Sequence, residues 1–183
     1  CDVHAGSAAE LAQRHGAQVG RVEQVLDDPG VAAVVIASST DTHADLILRA
    51  AAAGKAIFCE KPVDLDLQRA KACAEAVRAA GVTCMIGFQR RFDPTFESLS
   101  RRLEAGEIGD PEMLLVTSRD PGAPPLSYIA SSGGIFKDML IHDFDVFRWI
   151  LCGDGDEAAW LSATGSCLTD PAIGQAGDMD STA

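Results

Sequence analysis

Asp138 and His142 lie four positions apart in residues 135–151, where the apolar pattern predicts one long helix behind Gly133-Gly134. Side chains at i and i+4 share a helix face, so we expect the carboxylate beside the imidazole. A neighbouring carboxylate orients an imidazole ring and favours its protonated form, which suits a proton acceptor. The same spacing is common in surface pairs, and that is the alternative interpretation.

A metal site at this helix is disfavoured by the spacing of its candidate ligands. His142, Asp143 and Asp145 would not share one helical face. The sequence therefore predicts acid–base chemistry at this helix and no bound metal.

Lys61 is the second candidate for chemistry, in the triplet Glu60-Lys61-Pro62 that follows an apolar run at residues 56–59. The run predicts a buried strand, and the proline ends its hydrogen-bond ladder. Open α/β sheets bind ligands at the carboxyl ends of their strands, so we expect Lys61 at a ligand site. A solvated surface lysine is the alternative.

Hydroxyl side chains follow an earlier predicted strand: Ser38, Ser39 and Thr40 come directly after it, and His43 lies one helical turn further on. Free N–H groups at a helix start, together with hydroxyls, suit a phosphate or a ribose. A simple helix cap would have the same sequence, so this stretch only favours a cofactor site.

Asp2 is predicted to follow a strand whose last residues open the chain. An acid at the end of the second strand of a dinucleotide-binding fold accepts hydrogen bonds from the adenosine ribose hydroxyls and repels a 2′-phosphate. A plain loop acid is the alternative.

The elements that would position these residues alternate between strand and helix. Strands are predicted at residues 31–37, 56–60 and 82–87, with helices at 40–53 and 66–80 between them. The first strand is a continuous apolar run that is rich in β-branched residues, which predicts burial on both faces. This order indicates right-handed βαβ crossovers and a Rossmann-type doubly wound parallel α/β sheet that lacks its first βα unit. We assign residues 1–90 to this dinucleotide-binding domain.

The pattern changes after Arg90. Asp93 and Pro94 predict the start of a helix to Ala105, followed by a strand at residues 112–118 and a loop at residues 120–132. Another strand is predicted at residues 158–168, after the long helix, and the residues from 169 onward are polar and end without a helix stop signal. We assign residues 91–183 to part of an α+β substrate and oligomerisation domain. The missing initiator Met and the polar end predict an internal fragment of a longer protein.

Composition narrows the function classes. The net charge is −12 and no basic stripe is present, which argues against nucleic acid and anionic membrane as partners. The six cysteines form no Cys-x-x-Cys pair, so zinc and redox spacings are absent. No signal peptide and no run of 18 apolar residues is present, so we expect a cytoplasmic protein.

Five stretches together resemble the glucose–fructose oxidoreductase / inositol dehydrogenase family (Gfo/Idh/MocA), and they follow the family's order over nearly the whole chain. They are residues 40–43, 60–62, 87–93, 118–121 and 133–143. The Glu-Lys-Pro triplet alone marks the broad family, whereas the last two stretches and the Arg-Arg-Phe-Asp run point to inositol dehydrogenases. The family's Gly-x-Gly-x-x-Gly unit is not among these residues.

The resemblance implies NAD-dependent oxidation of a cyclitol ring hydroxyl, myo-inositol to 2-keto-myo-inositol, in bacterial inositol catabolism. It implies that Lys61, Asp138 and His142 are the catalytic residues, that Gln89 and Arg90 lie near the sugar ring, and that the complete protein is a homotetramer. The implied cofactor residues are Asp2, Ser38, Ser39, Thr40, His43, Glu60 and Lys61. A same-family dehydrogenase for scyllo-inositol or another sugar, and a non-catalytic dinucleotide-binding sensor, are the alternatives.

Asp2 generates a prediction about cofactor choice. Replacing it by serine in the complete protein removes the negative charge expected to repel a 2′-phosphate, so the preference for NAD over NADP should relax. The measurement is the ratio of kcat/KM with NAD to kcat/KM with NADP. An unchanged ratio would reject this role for Asp2.

Overall fold

The structure is a computed structural model that describes residues 1–152 and 158–182, apart from the side chain of Ala130. The chain divides into two compact units, Cys1–Gly87 and Phe88–Ala183. Among the described residues, no helix is both long enough and apolar enough to cross a membrane.

The first unit alternates helices and strands as the sequence predicts. Its elements are α1 (Ala5–His15), α2 (Val22–Asp27), β1 (Ala33–Ile36), α3 (Thr40–Ala52), β2 (Ala56–Cys59), α4 (Leu67–Ala80) and β3 (Cys84–Ile86). The strands pair in parallel in the order β1-β2-β3, with α3 and α4 as the connecting helices. The predicted Rossmann-type α/β fold is confirmed.

Local sequence signals set the ends of α4. The Asp66 carboxylate accepts hydrogen bonds from the backbone N–H groups of Gln68 (2.7 Å) and Arg69 (3.1 Å), which caps the start of the helix. Gly81 ends it in the left-handed conformation, with φ 67°. The helix therefore starts and stops where the sequence predicts.

The core of this unit lies between the sheet and its two crossover helices. Helix α3 supplies its largest share, with Ala44, Ile47, Ala50 and Ala51 all buried, and Ile47 is only 1% exposed. Ile57 and Cys59 of β2 and Cys73 of α4 belong to the same cluster. Alanines on α3 let the helix lie close to the strands, because they carry no side chain beyond Cβ.

The opposite face of this sheet is not covered by described residues. Val35, Phe58 and Met85 are register partners across the three strands, and Val35 is 74% exposed. The prediction that the first strand is buried on both faces is therefore wrong for this chain. The strand predicted at residues 1–3 is also absent, because no neighbouring strand pairs with it among the described residues.

The second unit is mostly helical. It contains a 3₁₀ turn (Gln89–Phe92), α5 (Pro94–Glu104), α6 (Leu126–Ser132), a π-helical turn (Ile135–Met139), α7 (Ile141–Leu151), β4 (Gly165–Ser166), α8 (Pro171–Gln175) and β5 (Ser181–Thr182). Strands β4 and β5 form a short antiparallel pair. Asp93 caps α5 by accepting from the N–H groups of Thr95 and Phe96, as its sequence predicts.

Several predictions for this unit are wrong. Residues 112–118 form no strand, although their exposure alternates: Met113 and Leu115 are exposed and the residues between are half-buried. A strand needs a paired neighbour, and none pairs with this segment in the described chain. Only Gly165–Ser166 of the strand predicted at 158–168 is formed, and the predicted loop contains α6. The polar tail, for which the sequence made no prediction, contains α8 and β5.

Ile47 provides a test of where the stability of the first unit comes from. Replacing Ile47 by alanine should lower the free energy of unfolding by about 2–5 kcal/mol, because a large side chain leaves a cavity in a close-packed core. Replacing Leu67, 65% exposed on α4, by alanine is the control and should change it by about 0.5 kcal/mol or less. Chemical denaturation measures both. Equal losses would contradict this location of the core.

Candidate functional site

The carboxyl edge of the parallel sheet gathers most of the predicted cofactor residues. The N–H of Glu60 donates to the carbonyl of Ile36 at 2.9 Å, so β1 and β2 stay paired up to this edge. Ser38, Ser39 and Thr40 follow β1, and Glu60 and Lys61 follow β2. Because neighbouring parallel strands end at the same edge, these two groups lie along one side of the sheet.

His43 ties the two loops of this edge together from inside. Its Nδ1 lies 2.7 Å from the carbonyl oxygen of Pro62, and its Nε2 lies 3.0 Å from that of Ser38. The side chain is 1% exposed. Both ring nitrogens therefore contact backbone rather than solvent. His43 thus braces the two loops that carry the other candidate cofactor residues, and its own role at a cofactor stays a prediction.

The start of α3 presents hydroxyl groups at the edge. Ser38 Oγ and Thr42 Oγ1 are 2.6 Å apart, and Thr42 Oγ1 also donates to the carbonyl of Ser39 at 2.7 Å. Ser39 is the N-cap residue, but its side chain makes no capping hydrogen bond. N–H groups of the first turn that a side chain does not cap are suited to an anionic or hydroxylic ligand.

Glu60 and Lys61 are both half-buried at this edge. A Cβ on Gly87 would lie 2.9 Å from Oε2 of Glu60, so the carboxylate rests directly against the glycine backbone after β3. A larger residue at position 87 would displace it. Asp2, by contrast, is exposed, and its Oδ1 accepts the N–H of His4 at 2.7 Å.

Asp138 and His142 lie in the second unit, on either side of a change of helix type. Leu140 N–H donates to the carbonyl of Ile135 at 2.9 Å, a five-residue step that defines a π-helical turn. Asp138 lies within this turn and His142 in the first turn of α7. The predicted single α-helix over 135–151 is therefore wrong. Turns of this kind often occur at functional sites.

Tyr128, on α6, holds the Asp138 carboxylate. Its hydroxyl donates to Oδ1 of Asp138 at 3.0 Å. Partial burial, and then the hydrogen bond to this carboxylate, raise the pKa of Tyr128 above its usual value. The bond fixes one oxygen of the residue predicted to orient His142.

Asp138 also lines an open cleft of about 750 Å³ within the second unit. Arg119, Asp120, Asp178 and Asp180 supply polar groups to its lining. Asp180 accepts backbone N–H groups of Asp170, Leu168 and Thr169, and these bonds lower its pKa to about 2. The lining therefore carries fixed charges of both signs, which can bind the hydroxyl groups of a polar ligand.

Gly134 shapes this cleft. Its φ of 75° and ψ of −178° belong to a region that only glycine populates readily. A Cβ there would also collide with the carboxylate of Asp178, whose Oδ1 accepts the N–H of Ile135 at 3.3 Å. Glycine is thus required where the chain enters the π-helical turn.

Two arginine–aspartate pairs join the 3₁₀ turn to α7. Arg90 Nη1 donates to Oδ1 of Asp143, which also accepts the hydroxyl of Ser118 at 2.7 Å. Arg91 binds Asp145 through two bonds of 2.8 Å each. The 3₁₀ turn itself begins with Gln89, which is exposed.

Sequence reasoning missed Tyr128, Ser118 and Asp143 as parts of the site. Tyr128 lies in a segment predicted as a loop, and Ser118 at the end of a predicted strand. Asp143 was weighed in the sequence only as a candidate metal ligand, because the predicted helix starts at residue 135 and places Asp143 well inside it. Its partner Arg90 is 53 residues away in sequence, and only the fold brings them together.

Known proteins are similar to this chain over nearly its whole length. Residues 1–88 match the profile described as "Oxidoreductase family, NAD-binding Rossmann fold", and residues 96–183 match the GFO/IDH/MocA C-terminal domain. An inositol 2-dehydrogenase of Rhizobium meliloti (strain 1021) is 49% identical over 98% of this chain and 54% of its own length. A scyllo-inositol 2-dehydrogenase (NAD(+)) of Bacillus subtilis (strain 168) is 45% identical over 96% and 51%.

Comparison with solved structures finds a similar fold in a protein of the same kind. The crystal structure of a myo-inositol dehydrogenase from Corynebacterium glutamicum ATCC 13032 superposes with a TM-score of 0.87 at 38% identity, and the match covers 99% of this chain and 54% of that one. The chain thus spans about half the length of the relatives that it matches.

Tyr128 is the single tyrosine of the chain, so its ionisation can be followed directly by ultraviolet absorbance. We expect a midpoint above the ordinary value of about 10. Replacing Asp138 by asparagine removes a charge that opposes the phenolate, so the midpoint should fall while the effect of burial remains. The hydrogen bond should stabilise the fold below the ordinary pKa and cease to do so as the pH rises through the raised one. An unchanged midpoint in Asp138→Asn would contradict the bond.

Proposed function

Because the chain belongs to the GFO/IDH/MocA oxidoreductase family, we propose that the complete protein is an NAD-dependent dehydrogenase of cyclitols. The proposed reaction oxidises one ring hydroxyl, converting myo-inositol to 2-keto-myo-inositol. The observation that carries the proposal is the 49% identity to an inositol 2-dehydrogenase over nearly this whole chain. Lys61, Asp138 and His142 all lie within the matched length.

His142 is the proposed proton acceptor. It takes the proton of the reacting hydroxyl, and the charge of Asp138 favours the imidazolium that results. Tyr128 supports this by holding one oxygen of Asp138 in place. Lys61 donates a hydrogen bond to the reacting oxygen and stabilises the negative charge that develops there.

NAD, when bound, accepts the hydride that leaves the ring carbon as the ketone forms. The donor set at the carboxyl edge of the sheet fits such a group: the hydroxyls of Ser38 and Thr42, the start of α3 near Ser39 and Thr40, and Lys61. Glu60, whose carboxylate lies against Gly87, is proposed to contact the cofactor at the same edge. Asp2 is proposed to bind the ribose hydroxyls of the adenosine.

The cleft of the second unit is the proposed polyol site. Asp138 lines it, and its other charged groups can pair with several hydroxyls at once. Gln89 and Arg90 are proposed to lie near the sugar ring. We assign residues 1–90 to cofactor binding and residues 91–183 to substrate binding and assembly.

A same-family dehydrogenase for scyllo-inositol is the second candidate. It is favoured by the 45% identity to a protein named for that substrate. The catalytic residues would be the same in both cases, so only the residues of the pocket discriminate between the epimers.

We further propose a bacterial, cytoplasmic enzyme of inositol catabolism that assembles as a homotetramer. Support comes from the bacterial relatives and from the six free cysteines, which are typical of a reducing compartment. Light scattering on the complete protein would measure the assembly.

A spectrophotometric NADH assay with NAD against a panel of cyclitols and hexoses tests the proposed function. Turnover with myo-inositol supports it, and a higher kcat/KM with scyllo-inositol supports the second candidate. NAD binding without turnover of any member of the panel would reject both and favour a sensor.

His142→Ala in the same assay tests the proton acceptor. General base catalysis is typically worth about 10²–10⁴-fold, so kcat should fall by that order while the Kd for NAD stays unchanged. His15→Ala, which removes an exposed histidine of α1, is the matched control and should leave kcat unchanged. A His142→Ala enzyme within a few-fold of wild type would show that another group takes the proton.

A further inference from the structure

Asp143 is a buried carboxylate next to His142. It is 5% exposed, and its Oδ1 accepts hydrogen bonds from both Arg90 Nη1 and Ser118 Oγ. Arg90 Nη2 also donates to Ser118 Oγ at 3.3 Å, which closes the three side chains into a ring. The ring joins the 3₁₀ turn, the irregular segment that contains Ser118, and the first turn of α7.

The attachment of Asp143 depends wholly on these two partners. Its Oδ2 is buried and has no hydrogen-bond partner among the described residues. A buried carboxylate that lost Arg90 would keep one neutral donor for a full charge, which is unfavourable enough to drive rearrangement. The ion pair therefore restricts both the rotation and the position of the first turn of α7.

We propose that Arg90, Asp143 and Ser118 form a positioning network that fixes the first turn of α7 and thereby the direction of the His142 imidazole. Adjacent residues of one helical turn share a rigid backbone, so fixing the Asp143 side chain fixes the Cα–Cβ direction of His142. The proposal rests on the proposed function in taking His142 as the proton acceptor. Arg90 acts here through Asp143, and Asp143 is not itself a reacting group.

Arg90 can fill this role and still lie near a substrate. A guanidinium has five N–H donors, and the hydrogen bonds to Asp143 and Ser118 use two of them. Its cation also lies 5.8 Å from the centroid of the Phe96 ring, on α5. Phe96 is thus a third contact of the guanidinium, besides Asp143 and Ser118.

The Arg91–Asp145 pair also joins the 3₁₀ turn to α7, but its arginine is more exposed to solvent than Arg90 is. The Arg91 side chain is 41% exposed, so water can replace its bonds when they break. The buried pair is therefore the one expected to set the geometry of the helix start.

The test compares Asp143→Asn and Arg90→Lys in the complete protein, with Arg102→Gln as the control. Arg102 pairs with Glu107 on the surface of the same unit and is 67% exposed. Nuclear magnetic resonance of the histidine ring groups reports the geometry without requiring activity. The His142 signals are assigned by their loss in His142→Ala, and His43, buried in the other unit, is the internal reference.

We expect the His142 ring signals to shift and broaden in Asp143→Asn while those of His43 stay unchanged. With myo-inositol and NAD, kcat should fall by about 10-fold or more, since a small misplacement of a reacting group can cost about 10²-fold. KM should change by less than about 3-fold, because substrate contacts remain. The deuterium isotope effect on kcat, with the reacting carbon labelled, should rise. Arg90→Lys, which keeps the charge, should have a kcat between those of the wild-type protein and Asp143→Asn. Arg102→Gln should change neither kcat nor the His142 signals.

The following results would overturn the proposal. Unchanged His142 signals in a folded Asp143→Asn protein would show that the network does not position the ring. If Asp143→Asn does not fold, unchanged His142 signals in Arg90→Gln, which removes the charge that pairs with Asp143, would have the same meaning. A raised KM with an unchanged kcat would assign Arg90 to substrate binding alone. If the wild-type protein turns over no cyclitol, the proposed function fails, and the His142 signals still decide whether the network exists.

Discussion

The close approach of α3 to strands β1 and β2 is the constraint on which the first unit depends. Alanines along the inner face of the helix permit this approach, and Ile47 fills the remaining space. With the helix in place, its first turn must start where β1 ends, and His43 reaches both the Ser38 and the Pro62 carbonyls. Core packing therefore determines how the two loops at the carboxyl edge face each other, and Lys61 takes its position from that arrangement.

The second unit depends less on an apolar core than the first unit does. Its described strands have two residues each, and exposed apolar side chains such as Met113 and Leu115 contribute little to burial. Buried charge does more of the organising: Asp143 is held by Arg90 and Ser118, and Asp138 by Tyr128. Paired charges tolerate few geometries, so they specify orientation more sharply than apolar contacts do. That property suits the part of the chain that carries the predicted proton acceptor.

The sequence predicted well wherever structure follows from local rules. The caps at Asp66, Asp93 and Gly81 and the alternation in the first unit are signals contained within a few residues. Predictions that depended on a distant partner were wrong. Residues 112–118 have the composition of a strand, but no strand of residues 1–152 or 158–182 pairs with them, and no layer in the same ranges covers Val35. For the candidate site, spacing made Asp138 and His142 candidates and left a surface pair as the alternative, and their role stays a prediction. Tyr128 and the Arg90–Asp143 pair depend on contacts across ten and 53 residues. The role of His43 could not be predicted, because a brace and a ligand contact have the same sequence.

The π-helical turn before α7 affects the direction in which the side chains of α7 point. A five-residue hydrogen-bond step accommodates one residue more than an α-helical turn does. Because each residue of an α-helix advances the direction by roughly 100°, this extra residue changes which side of α7 faces the turn before it. Asp138 lies inside the π-helical turn and His142 just after it, so their spacing of four residues does not place them as it would in a regular α-helix. Chain length in this turn is therefore as much a determinant of the site as the identity of its side chains.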